Sequence, residues 1–210
     1  MSAILDCSFH KSDTKRLRSK FVRVTWFIIT ILACHPGIGR SQVKQASWLD
    51  DPKPSSWNSR GLSIPAAPRI QANMDSRCRD AARPPELEQD KRLRDQGWDL
   101  VGAYQGGWQI LVLRATAGYD GMCRPLQYQD FVFVRGVFAG TLSPQAMDSR
   151  IDGALARISL QSDSRLTAEY ARYAATDPLC CPSRRTTVVF EIANDAPVVR
   201  PLSTSTSANQ

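Results

Sequence analysis

Histidine is almost absent from this 210-residue chain, and the two present, His10 and His35, both fall in its first 40 residues. The rest of the sequence therefore lacks the usual general base near neutral pH, the commonest metal ligand and any Ser-His-Asp triad. No P-loop, nucleophile elbow or dinucleotide fingerprint is present, and no internal repeat. The D-G turns in "GYDG" and "RIDG" lack oxygen ligands at alternate positions, so calcium is not expected there. The cysteines lack C-x-x-C spacing, which argues against a four-thiolate zinc site. No cofactor and no metal are expected. Strong positive charge is missing too, once the net +7 is divided by region. Residues 1–42 hold seven basic and two acidic side chains, whereas the remainder holds 20 basic and 18 acidic. Beyond Arg184-Arg185 no basic run with interleaved aromatics appears, and nucleic acid is not an expected partner.

What is present begins with a leader. Lys15, Arg16, Arg18, Lys20 and Arg23 precede a mainly apolar run from Val24 to Ala33, closed by Pro36-Gly37. That run is too short for the ~20 residues a membrane span needs, but it suits a signal-peptide core. Residues 1–39 therefore read as a signal peptide or lipoprotein leader. "ILAC" resembles a lipobox ending at Cys34, a candidate for lipidation and membrane attachment; the rival is ordinary cleavage near Gly37 or Gly39. Either route predicts an extracytoplasmic protein. Residues 40–74 hold Pro52, Pro54, Pro65 and Pro68 among Ser, Asn and Gln, and read as a flexible linker. Residues 75–202 read as one domain, and 203–210 as a disordered polar tail.

The expected fold class of the domain is α+β: a mainly antiparallel sheet with one short N-terminal helix, held by disulfides. "ELEQDKRLRDQG", after Pro84-Pro85, runs from acidic to basic and ends at Gly97, as a weakly amphipathic surface helix would. "WDLVGAY" and "WQILVLR" predict a hairpin turning at Gln105-Gly106-Gly107, and "FVFV" and "VFAGTL" one turning at Arg135-Gly136. "ALARISL", "RLTAEYARYAA" and "TTVVFEI" complete about six strands. Val188, Phe190 and Ile192 share a face in the last of them.

Outside the leader four cysteines remain: Cys78, Cys123, Cys180 and Cys181. An even count in an exported chain points to two disulfides. A bond between adjacent Cys180 and Cys181 closes a small ring and restrains almost nothing, so outward pairing of each to Cys78 and Cys123 is the favoured reading. A functional vicinal pair and zinc are the alternatives. Among carboxylates, Asp120, Asp130, Asp148, Asp152 and Asp177 could converge as glycosidase acids do. Asp beside Gly or Pro favours turns, however, and Arg124, Arg150 and Arg172 offer ion-pair partners. The reading that follows is a non-enzymatic binding or structural module with no assigned catalytic residue. A thiol–disulfide protein using Cys180-Cys181 and a carboxylate-based cell-wall hydrolase are its rivals. The candidate binding surface is Phe138, Thr141, Ser143, Met147 and Arg150, and the expected partner an envelope protein or cell-wall component.

"DGMC" (Asp120 to Cys123), "FVFV-G-FAGTLSP-M-SR-DG" (Phe131 to Gly153) and "RY-TDPLCCPS" (Arg172 to Ser183) together resemble the LppP/LprE family of bacterial lipoproteins. The resemblance covers about residues 78–200. It implies a secreted or lipid-anchored envelope protein, supports lipidation at Cys34, and supplies no catalytic residues.

Overall fold

The computed structural model describes residues 47–70, 76–178 and 180–209, all within the compact unit Lys44–Gln210. The leader and Cys34 lie outside the described residues. Most of the described chain is antiparallel sheet. The first sheet contains β1 (Asp99–Leu100), β2 (Gln105–Gly107), β3 (Ile110–Tyr119), β4 (Pro125–Val134) and β5 (Val137–Thr141), in the order β1-β3-β4-β5 with β2 also on β3. The second contains β6 (Ala154–Leu160), β7 (Arg165–Arg172), β8 (Arg184–Ala193) and β9 (Val198–Ala208), in chain order. One α-helix is described, α1 (Glu88–Asp95).

The "FVFV" run shows why the layers stack as they do. Side chains alternate across a strand, and here both sets are apolar. Val132 and Val134 join Leu166, Tyr170, Val188, Phe190 and Ile192 of the second sheet in the main core. Phe131 and Phe133 face the other way and pack with Phe138, Trp98 and Leu93 of α1. The first sheet is thus covered by the second sheet on one face and by α1 on the other. The helix is less superficial than its weak amphipathicity suggests, because Leu93 is fully buried. Its first turn is fixed by the buried Asp90, which accepts from the Glu86 and Leu87 amides at 3.0 Å each and from both Arg83 nitrogens at 2.6 and 2.8 Å.

The hairpin at Arg135-Gly136 forms as expected, with φ of 50° and 79°. The preceding one turns elsewhere. Gln105–Gly107 is itself a strand, and the positive φ values, 53° and 62°, fall on Trp108 and Gln109. Glycine content marked the wrong dipeptide, because β2 uses its glycines to pair with β3.

Two further expectations are corrected. Residues 47–70 are not a flexible linker but a strap packed on the sheets: Leu49 is fully buried, and Trp48 and Trp57 pack against the main core. Asn58 fastens the strap. Its Nδ2 donates to Thr141 and Val199 carbonyls at 2.9 Å each, and its Oδ1 accepts from the Thr141 amide at 3.0 Å. This approach requires glycine at 140, where φ is 128° and a Cβ would stand 2.3 Å from Asn58 Cγ. The polar tail is not disordered either, since Ser203 to Ala208 continue β9 in register with β8. Thr and Ser suit an edge strand with one face in water.

Candidate binding cleft

The antiparallel order of the strands brings the β3–β4 turn, the loop after β5 and the β7–β8 loop to one end of the molecule. Side chains from all three segments line a cleft of about 300 Å³, including Asp120, Arg124, Asp148, Arg150, Ile151 and Tyr173. Each wall is held by local hydrogen bonds. Asp120 accepts from the Met122 and Arg124 amides at 2.9 Å and pairs with the Arg124 guanidinium at 2.6 Å. Desolvation opposes its ionisation, but these bonds to Arg124 and Met122 hold its pKa below the usual range. Asp148 accepts from the Gln127 amide at 3.0 Å and its Nε2 at 2.9 Å, while its own amide donates to Asp152 Oδ2 at 2.8 Å. Gly153 and Leu155, just beyond, are fixed by Tyr128: its hydroxyl donates to Gly153 O at 2.6 Å and accepts from Leu155 N at 3.0 Å.

The third wall is built around Arg150. Its guanidinium donates to Asp177 O at 2.6 Å and Pro178 O at 3.3 Å, and lies 4.4 Å from the Tyr173 ring centroid. Asp177 closes this loop by accepting from the Ala174 and Ser183 amides at 2.7 and 2.8 Å, and those bonds lower its pKa. Cys180 and Cys181 lie within the loop, both exposed.

The cysteine pairing differs from the favoured outward arrangement. Cys78 bonds Cys123, with Cα atoms 5.1 Å apart, and Cys180 bonds Cys181. Topology gives the reason. Cys123, in the β3–β4 turn, meets Cys78 beside Val101 and Tyr119 of the first-sheet half. Cys180 and Cys181 instead lie in the loop between β7 and β8 of the second sheet. One bridge therefore crosslinks the fold, and the other remains local.

Of the candidate binding surface, only Arg150 lines this cleft. Phe138 is core, 4% exposed, and Met147 is 1% exposed and bridged to Tyr128. Thr141 and Ser143 are buried, and their hydroxyls donate to Ser143 O and Gln145 O at 2.8 Å. The strap covers this segment, with Trp57 Nε1 and Asn58 Nδ2 both donating to the Thr141 carbonyl. Of the five carboxylates, Asp120 and Asp148 line the same cleft, each engaged by hydrogen bonds of its own segment. Asp130 is buried with Arg114 at 2.9 Å, and burial raises its pKa against the pull of that cation. The others hold turns, with Asp120 also paired to Arg124. Arg172 pairs with Asp50, a partner hidden in the supposed linker. Among the described residues no cluster of His, Cys, Asp and Glu is arranged for a metal ion.

The comparison with family models returns a match to the LppP/LprE lipoproteins over residues 108–195. That region is similar to the LppP/LprE lipoproteins. The match spans β3 to β8 and contains every residue lining the cleft, but excludes the strap, α1, β1, β2 and β9. Likeness to this lipoprotein family suggests an exported, envelope-associated protein. No helix among the described residues is long and apolar enough to cross a membrane. Neither the curated proteins nor the solved structures contain a match.

Proposed function

We propose that the chain is an exported, non-enzymatic binding module whose LppP/LprE region presents this cleft to an envelope protein or cell-wall component. The observation that carries the reading is convergence. Three segments distant in sequence meet at one concave surface, where hydrogen bonds hold polar groups beside exposed apolar Ile151. Preformed clefts of this size with a few fixed polar groups are the usual form of a binding site. Attachment through a lipid on Cys34 belongs to the same reading, and mass spectrometry of the N-terminal peptide of the exported protein tests it. The binding test is co-sedimentation with envelope fractions. Tyr173→Ala and Arg124→Ala are expected to weaken association about tenfold, a loss of about 1.4 kcal/mol. Ser205→Asp, on exposed β9, is expected to leave it unchanged. Equal sedimentation of all variants would sink the proposal.

A second reading rests on the exposed Cys180–Cys181 bond. A thiolate of a partner dithiol would attack one sulfur, and its second thiol would then resolve the mixed disulfide. The partner is oxidised, and Cys180 and Cys181 are released as thiols. Catalysed reduction of insulin by a small dithiol that disappears in Cys180→Ser supports this reading, whereas an inert wild-type protein removes it.

A further inference from the structure

A second and larger cleft, about 500 Å³, shares Ile151 with the first and is lined by Ser47, Trp48, Gln145, Asp152, Arg172 and Arg184, among others. Arg172 and Arg184 are directly opposite one another on β7 and β8. Like charges in that relation repel, so the arrangement calls for anions. Arg172 has one: its two terminal nitrogens meet the two Asp50 oxygens at 3.1 Å each, and Nη1 also donates to Thr186 at 3.3 Å. Arg184 is exposed and makes no ion pair among the described residues.

The rest of the lining narrows the class of anion. Asp152 uses Oδ2 to accept from the Asp148 amide, leaving Oδ1 without a partner among the described residues. A fully deprotonated inorganic anion such as sulfate on Arg184 would meet this carboxylate with nothing to donate to it. A neutral glycan would satisfy Asp152 and leave Arg184 uncompensated. Trp48 supplies an aromatic wall, held edge-on by Trp57 at 5.0 Å and Tyr170 at 5.6 Å. Its Nε1 is buried away from the cleft, so the wall offers the apolar ring face rather than a donor. Gln145 and Ser47 add an amide and a hydroxyl.

We propose that this cleft binds an acidic saccharide, with the sugar carboxylate on Arg184, ring hydroxyls donating to Asp152 and the ring against Trp48. Guanidinium and carboxylate match as a planar fork, which a lysine would not reproduce. The site uses neither Tyr173 nor Arg124, so it stands or falls separately from the first cleft.

The test is calorimetric titration of the full chain with a tetrasaccharide alternating glucuronic acid and N-acetylglucosamine. Neutral chitotetraose and inorganic phosphate serve as comparison probes. The acidic sugar is expected to bind saturably and at least about tenfold more tightly than either, with Arg184→Gln losing about tenfold and Asp152→Asn about threefold. Tyr173→Ala is expected to bind it normally. Arg184 is exposed, so Arg184→Gln is expected to keep the wild-type melting temperature; if it does not, Arg184→Lys tests the same fork in a charge-conserving form. Absence of saturation, equal binding of the neutral sugar, or full affinity in Arg184→Gln overturns the proposal. Phosphate binding as tightly as the acidic sugar overturns it in favour of a simple anion site.

Discussion

Strands β4 and β8 are both ten residues long and both lie inside their sheets, yet they are written differently. β4 is buried continuously from Tyr128 to Val134, because α1 covers one face and the second sheet the other. β8 alternates, with Thr186, Val188, Phe190 and Ile192 inward and Thr187, Val189 and Glu191 on the uncovered face. The crosslinks follow the same division. The long-range Cys78–Cys123 bridge belongs to the doubly covered half, and the vicinal bond to the half with an open face. The difference teaches that one half is fixed from both sides, whereas the other can vary its outer surface and loops without cost to the core.

The largest expected contrast is in packing. Phe131→Ala should cost about 3–5 kcal/mol, since it leaves a cavity between α1 and the sheet. Thr187→Ala, on the open face of β8, should change stability by less than about 0.5 kcal/mol. Chemical denaturation of both variants checks the pair, and similar losses would break the comparison. Next come the crosslinks. Replacing Cys78 and Cys123 together by Ser should cost about 4 kcal/mol, because the bridge closes a 45-residue separation.

The third contrast concerns Asp90, which anchors α1. Burial opposes its charge, but Arg83 and the Glu86 and Leu87 amides prevail and hold its folded pKa below the ordinary value. Its contribution is therefore present above the unfolded pKa, about 3.9, and is lost as pH falls through the lower folded pKa. Asp90→Asn should cost about 2 kcal/mol near neutrality and flatten that part of the acid-unfolding profile. An unchanged profile would show that Asp90 does not set it. The smallest effect is expected at the vicinal bond. Cys180→Ser with Cys181→Ser should shift stability by under about 0.5 kcal/mol, because a bond between neighbours closes no loop in the unfolded chain.

The same contrast explains what could be read from sequence. "FVFV", "TTVVFEI" and the Arg135-Gly136 turn carry local signals strong enough to name strands and one hairpin. The strap was not legible, because Pro, Ser and Asn give no apolar period. Asn58 is ordered by carbonyls 83 and 141 residues away. β9 escaped because an edge strand with one wet face can be built from Ser and Thr. At the cleft, Asp120, Asp148 and Asp177 were legible as turn formers. The meeting of Asp120 and Asp148 in one cleft with Tyr173 depends on strand order, which no single segment encodes. Asp50 could not be matched to Arg172 for the same reason.

Asn58 also bears on the order of folding. Its side chain needs carbonyls from β5 and β9, one strand of each sheet, so the strap can dock only onto a seam that both sheets have already made. Contacts formed after the transition state slow unfolding without hastening folding. Asn58→Ala should therefore leave the refolding rate of the chain nearly unchanged and raise its unfolding rate, making the strap a latch on lifetime rather than a guide to assembly.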